Sequence, residues 1–371
     1  MNIKKKYSLV IFLPTKNPSK YIIKTIKSFL NLKSKKYLLI IINNGEEIKI
    51  KNFKKIIFNK NIKYFSINNK KKKFVNYIEL YPKILKKIFF KKKNYPNFFI
   101  NTADDDIFLN KINLKRAISI LESDKNISYI IPPIKRVTDK KKITIYNHEE
   151  KVLQGEFFLD QLFNEEYNFN FSIDKSHLSQ CLHGAIFRLD KLLELKCFNT
   201  LKLYKYNLWD GFGLDFVWYL RPAFLKESKI YLMSGKPIKQ YNETTKSMTS
   251  KYPIMFSFCY YNYLLNNYYY FRNNNEKFYN SQIMQPFISR WINQMFCSYF
   301  SVLTLDGIEK KESPVENYLG YKFIFYVIFQ CFKFSNIKNF QILFYWLKAK
   351  FKYHIRIYIA YIKKILLNQT S

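Results

Sequence analysis

Residues Tyr7–Ile42, YSLVIFLPTKNPSKYIIKTIKSFLNLKSKKYLLIII, decide the fold class. Two dense apolar runs, Tyr7–Leu13 and Tyr37–Ile42, show no alternation with polar residues, so both read as strands buried on two faces of a parallel sheet. Between them, Ile22, Ile26, Phe29 and Leu30 recur at helical spacing, Lys20, Lys24 and Lys27 take the opposite side, and Pro18 and Ser19 supply the start signal. The helix is therefore expected over Pro18–Asn31. Strand, helix and strand make a βαβ unit, which closes right-handed and propagates into an open, doubly wound sheet. The second run stops at Asn43-Asn44-Gly45, and Ile62–Ile67 and Asn97–Ile100 offer further strands. Such sheets bind ligands at the carboxyl ends of their strands, so the loops that follow strands are the places to search for chemistry.

One such loop stands out. Phe98–Phe108, FFINTADDDIF, sets Asp104, Asp105 and Asp106 directly after an apolar strand. Adjacent carboxylates repel, and partial burial makes them costlier still unless a cation neutralises them; hard oxygen ligands of this kind suit Mg2+ or Mn2+. The expectation is a metal-diphosphate site at the sheet edge.

At these residues the chain resembles the family 2 glycosyltransferases of the GT-A fold, in particular bacterial members whose strand ends in an Asp-Asp-Asp-Phe type motif. Here the motif reads Asp104-Asp105-Asp106-Ile107-Phe108. The opening segment Ser8–Leu30 looks like the family's first strand, turn and helix, with Pro14, Thr15 and Asn17 in the turn. The resemblance implies a GT-A-type, mostly parallel, Rossmann-like α/β sheet and a nucleotide-sugar donor. That donor would be held by Pro14, Thr15, Asn17, Asn43, Lys83, Asp104 and Asp105, with a divalent metal on Asp104 and Asp106. Asn43 and Asn44 stand where an acidic residue usually reads the base. The segment Leu208–Arg221, LWDGFGLDFVWYLR, is similar to the family's Gly-Glu-Asp stretch and its following Arg. It implies Asp215 as the base that takes the acceptor hydroxyl proton, with Asp210 as its competitor. His183, Trp209 and Arg221 fall on the acceptor side. Pro237–Thr249, PIKQYNETTKSMT, is similar to the closing stretch, but no His stands in it, which leaves Asn242 or Glu243 as substitutes. The implied activity is inverting sugar transfer to a glycan or lipid-linked acceptor in bacterial surface polysaccharide synthesis.

Composition bounds these readings. Lys and Arg number 63 against 27 Asp and Glu, and the net charge of +36 favours phosphates, nucleic acid or an anionic membrane as partners without choosing among them. Crowding of Lys, Asn, Ile, Phe and Tyr is also what an AT-rich genome encodes. With 48% apolar residues and only 8 Gly and 11 Pro, the chain is not of a disordered or collagen-like class. Five scattered cysteines without Cys-x-x-Cys spacing suggest neither a disulfide framework nor a zinc site, in keeping with a cytoplasmic protein. The first apolar run is too short for a signal peptide or a membrane span.

Texture changes near residue 250, so residues 1–250 are expected to form the catalytic domain and residues 251–371 a helical, basic and aromatic region. From Phe340 to Leu367 a helical pattern carries Lys348, Lys352, Arg356 and Lys363 along one side. It suits either packing on the protein or peripheral contact with an anionic bilayer on the inner face of the cytoplasmic membrane. Two other functions compete: a nucleic-acid-binding basic protein, motivated by the aromatics of Tyr260–Phe271, and a sugar nucleotidyltransferase, which would need a Gly-rich phosphate loop after the first strand. No such loop is present, and no specific nucleic acid is expected as a partner.

Overall fold

The computed structural model describes residues 6–15, 21–45, 47–50, 53–67, 77–91, 94–167, 181–198 and 215–243, with residues 267, 348, 351, 355, 358, 359 and 362. For residues 77, 163–167, 215, 216 and 243 only the backbone is described. The chain divides into two compact units. One comprises Met1–Lys202 and Trp218–Thr245, and the other Leu203–Val217 and Lys246–Ser371.

The first unit is built on an eight-stranded sheet in the order β3-β2-β1-β4-β10-β6-β11-β9. One half of it is β1 (Leu9–Thr15), β2 (Tyr37–Asn43), β3 (Ile62–Ser66) and β4 (Phe98–Asn101), all parallel, with β3 at the edge. The two expected apolar runs thus pair in register, Leu9 against Tyr37 through to Thr15 against Asn43. β6 (Ile127–Ile131) and β11 (Lys229–Leu232) run in the same sense, whereas β10 (Ile186–Arg188) and β9 (Lys151–Gln154) run against it. The sheet is therefore mostly parallel, as the opening sequence implied.

Alternation along β1 sends its side chains to two different layers. Leu9, Ile11 and Leu13 join Leu39, Ile41, Phe98 and Ile100 beneath helices α1 (Ile22–Asn31) and α4 (Lys111–Ser123), which contribute Ile22, Ile26, Phe29, Leu114, Ala117 and Leu121. On the reverse face Phe12 stacks on Tyr81 of α3 (Leu80–Phe89) with centroids 4.0 Å apart. Phe99 meets Trp218 edge-on at 5.1 Å and Phe198 at 5.5 Å. Aromatic pairs in such offset and edge geometries add to the free energy of area burial, and here they fill a layer that shorter side chains would leave open.

Pro132-Pro133 separates β6 from β7 (Ile134–Thr138). Proline cannot donate to a ladder, so the chain leaves the first sheet there and enters a second, in the order β5-β12-β7-β8. β5 (Ile107–Phe108) is the strand just beyond the three aspartates, and β12 (Lys239–Glu243) lies between it and β7. β8 (Ile143–Tyr146), β9 and α5 (Gly155–Tyr167) occupy a stretch in which the sequence shows no clear periodicity. The reason is placement: β8 is an edge strand of the small sheet whose Ile143 and Ile145 are exposed, so no buried face imprints a pattern.

Two short helices complete the described part, α2 (Phe53–Ile57) and α6 (Leu189–Glu194), together with α7 (Asp215–Ala223). Among the described residues no helix is long and apolar enough to cross a membrane.

Candidate active site

The turn Asn101–Asp106 leaves β4 at its carboxyl end, and successive aspartates in it are gripped by different elements. Asp104 Oδ2 accepts a hydrogen bond from Thr15 Oγ1 at the end of β1, 2.8 Å away. Its carbonyl accepts from Thr25 Oγ1 on α1 at 3.0 Å. The Asp105 carbonyl accepts from Asn242 Nδ2 on β12, and Asn242 Oδ1 accepts in turn from Gln240 Nε2 at 2.8 Å. Asp106 turns inward: Oδ2 accepts from Thr102 Oγ1 at 3.1 Å and from the Ala103 N–H at 2.9 Å, and it pairs with Lys239 Nζ at 2.7 Å. Both side chains of that ion pair are only 3% exposed. Ser28, one turn after Thr25, accepts the Phe108 N–H at 3.0 Å and ties β5 to α1.

Three of these contacts come from residues that the pattern of the sequence hides. Thr25 and Ser28 sit on the buried side of α1 and would pass for solvent-facing polar residues; they are buried because their hydroxyls satisfy backbone groups of the acidic turn. Lys239 lies within the closing stretch in which a His was sought. Its register opposite Phe108 and Ile134 delivers its ammonium beneath the turn.

Charge is unevenly settled among the three carboxylates. Loss of water around Asp105, followed by the charges of Asp106 and Asp104, pushes its pKa up to about 7. Asp106 has a countercharge on Oδ2, but its Oδ1 is buried without a hydrogen-bond partner. Both features fit a cation, which would ionise Asp105 and occupy the orphaned oxygen. Among the described residues no three His, Cys, Asp or Glu side chains converge as a ready-made metal cage. An ion here would take one or two carboxylates from the protein and complete its shell from diphosphate and water, the common arrangement for Mg2+ at phosphate sites.

His183 stands in the short 3-10 turn Leu182–Gly184, with its ring stacked parallel on Tyr241 of β12 at 4.7 Å. One face of the ring is covered by Tyr241, and the residue is otherwise exposed. Partial loss of water, then the positive charges of Lys239 and Arg136, lower its pKa below the usual value, so the imidazole is neutral at pH 7. The site thus offers an acidic rim, the buried cation Lys239 paired with Asp106, and the neutral His183 stacked on Tyr241 beside it.

The other sequence-assigned residues divide clearly. Pro14 and Thr15 end β1 beside the turn. Asn43 ends β2 fully buried, donating to the Tyr64 hydroxyl at 3.1 Å and accepting the Gly45 N–H at 3.1 Å, so both ends of its amide are engaged within the protein. Lys83 is exposed on α3, and among the described residues no hydrogen bond or ion pair links it to the turn. Arg221, expected on the acceptor side, is instead 2% exposed and donates to the carbonyls of Leu195 at 2.9 Å and Lys196 at 3.1 Å. It caps the end of α6, because a guanidinium with five donors can close several orphan carbonyls at once. Asp106, expected on the metal, turns inward and pairs with Lys239 of β12. Asp215 opens α7, and its side chain lies outside what is described, as do Asn17, Trp209 and Asp210.

No protein-family model matches the chain, and no curated protein sequence matches it. Solved structures do. S. aureus TarS 1–349 superimposes with a TM-score of 0.52 over 87% of this chain and 81% of that one, at 13% identity. The same protein in complex with UDP-GlcNAc gives 0.50 over the same shares at 11% identity. The mannosyltransferase PcManGT of Pyrobaculum calidifontis, in complex with GDP-Man and Mn2+, gives 0.40 over 94% of this chain and 88% of its own, at 8% identity. The likeness to TarS is one of fold, a mostly parallel α/β sheet.

Proposed function

We propose that this protein is a glycosyltransferase that moves a sugar from a nucleotide-diphosphate donor to a glycan or lipid-linked acceptor, metal-assisted and with inversion, in bacterial surface polysaccharide synthesis. The observation that carries the reading is the Asp104–Asp106 turn, held at the ligand-binding edge of a parallel sheet by Thr15, Thr25, Lys239 and Asn242. Four side chains from three elements gripping one short acidic turn is a costly arrangement for a surface loop and a sensible one for a site that must meet phosphate in a fixed geometry.

Asp105 and the free oxygen of Asp106, with Asp104 beside them, would hold a Mn2+ or Mg2+ ion, which when bound neutralises charge developing on the departing diphosphate. Thr15 and Thr25 orient Asp104, Asn242 fixes the backbone at Asp105, and Lys239 fixes Asp106. Asp215, at the start of α7, is the candidate for taking the acceptor hydroxyl proton, with Asp210 as its competitor. His183, neutral and stacked on Tyr241, offers a flat surface and a hydrogen-bonding edge to the acceptor sugar.

The carboxyl-terminal region supports a peripheral contact with an anionic membrane surface. Phe351, Ile355, Tyr358, Ile359 and Ile362 are helical, spaced to share one face, and 42–69% exposed. The stretch Phe340–Leu367 holds Lys348, Lys350, Lys352, Arg356, Lys363 and Lys364 and no acidic residue. A lipid-linked acceptor would make that contact useful.

The test is nucleotide binding and donor hydrolysis across UDP-, GDP-, dTDP- and CMP-sugars with Mn2+ or Mg2+, for wild type, Asp105→Ala and Asp215→Asn. Metal-dependent turnover of one donor, lost in Asp105→Ala, is the expected result. No binding of any nucleotide, together with polynucleotide binding that is indifferent to Asp105→Ala and steeply weakened by salt, would overturn it in favour of a nucleic-acid-binding protein.

A further inference from the structure

Asp106 and Lys239 form a fully enclosed ion pair directly beneath the carboxylates that face the ligand edge. The lysine has few other contacts: Nζ lies 3.4 Å from the Asn101 carbonyl, at the start of the same turn. Its strand is paired on both sides, by β5 and by β7, and the side chain is buried with Asp106 as its counterion. Arg136, also buried, stands on the neighbouring strand opposite Tyr241. A cation arriving at the turn therefore meets the buried positive charge of Lys239 beside Asp106.

We infer that Lys239 is a positioning residue that holds Asp106 inward and keeps the empty site's affinity for a divalent cation low, so that the ion enters together with the donor's diphosphate. The inference rests on the donor-site reading above. Its physical basis is local. Lys239 already supplies Asp106 Oδ2 with a charge, leaving only Oδ1 of that carboxylate unclaimed, and it repels a second cation at close range through protein rather than water. A diphosphate would restore the balance by adding negative charge and further oxygen ligands. The lysine also makes the turn's shape independent of metal, because Asp106 is fixed before any ion arrives.

The experiment uses the full chain and Mn2+ alone, with free Mn2+ read from its electron paramagnetic resonance signal. Wild type is expected to bind Mn2+ weakly, and to bind it at least about tenfold more tightly when UDP or GDP is added. Lys239→Gln keeps a hydrogen-bond donor for Asp106 but removes the charge, and should tighten binding of Mn2+ alone by about tenfold or more. A side chain with a merely structural role would move affinity the other way, since loosening a site weakens it. Lys239→Arg should behave as wild type. Lys239→Met combined with Asp106→Asn removes both charges, so it should fold and lose the gain seen in Lys239→Gln. Unchanged or weaker Mn2+ binding in Lys239→Gln, tight binding of Mn2+ alone by wild type, or failure of the uncharged pair to fold would each overturn the inference. The lysine comparison requires no nucleotide, so it fails separately from the transferase reading, which falls if no nucleotide binds.

Discussion

At Asp105 a carboxyl that ionises near pH 4 in an exposed peptide stays protonated to about pH 7, because its surroundings withhold water and place two other acids beside it. The sign of the effect on stability follows. A folded-state pKa raised above the unfolded one favours the folded state fully at pH below 3.8, and that stabilisation is lost as pH rises to about 7. Asp105→Asn removes the dependence. In urea unfolding without metal, the variant should match wild type near pH 4 and exceed it at pH 8 by about 2 kcal/mol, roughly half what the full shift would carry, since the carboxylate keeps part of its water. A variant less stable than wild type at pH 8 would contradict the assignment of strain to this residue. Asp105 is legible in the sequence as one of three acids at a strand end, whereas which of the three has its pKa pushed up is not. That depends on Thr15, Asn242 and Lys239, which arrive from two other strands, β1 and β12; Asn242 and Asp105 stand 137 positions apart.

Helix α1 illustrates how an element can be right in outline and misread in detail. Its apolar spacing locates the buried side, but Thr25 and Ser28 share that side, and their hydroxyls hold the acidic turn and β5. Ser28→Ala strands the Phe108 N–H in a buried position and should cost about 1–3 kcal/mol in denaturant unfolding. Thr25→Val keeps the shape of the side chain and frees the Asp104 carbonyl. Its expected signature is weaker nucleotide binding, several-fold by calorimetry, with little change in melting temperature. α5 begins at Gly155, whose N–H donates to the Ser228 carbonyl at 2.9 Å. A Cβ there would lie 1.8 Å from the Ala223 carbonyl oxygen, far inside van der Waals contact and against backbone that cannot rotate away. Gly155→Ala should therefore destabilise the protein by about 3 kcal/mol or more, visible as a lowered melting temperature.

For the whole molecule, the net charge of +36 is the least specific feature of the sequence, and it acquires meaning only with a surface to act on. The exposed Phe351, Ile355, Tyr358, Ile359 and Ile362, in a stretch whose sequence is basic, predict co-sedimentation with vesicles containing about a third phosphatidylglycerol and not with neutral vesicles. Binding should fall with salt as exposed charges are screened, and should be lost in the double variant Phe351→Ser with Tyr358→Ser. Equal binding of that variant and wild type would place the contact elsewhere, and self-association in its place would mark the face as an interface between copies of this chain.

What the sequence by itself determined is the local and repetitive part of the protein. Continuous apolar runs of Tyr7–Leu13 and Tyr37–Ile42 can be satisfied only by burial on two faces, which forces a parallel sheet with helical crossovers, and a polar turn after such a strand must emerge at the ligand-binding edge. Tertiary structure decided the rest. Only after folding does β10 insert antiparallel between β4 and β6, does β12 reach the turn from the far end of the domain, and does one lysine among 63 basic residues become the partner of Asp106. Periodicity records which residues are buried, because burial repeats along an element. A single ion pair between distant strands repeats nowhere, and so leaves no trace in the sequence until the chain has brought its ends together.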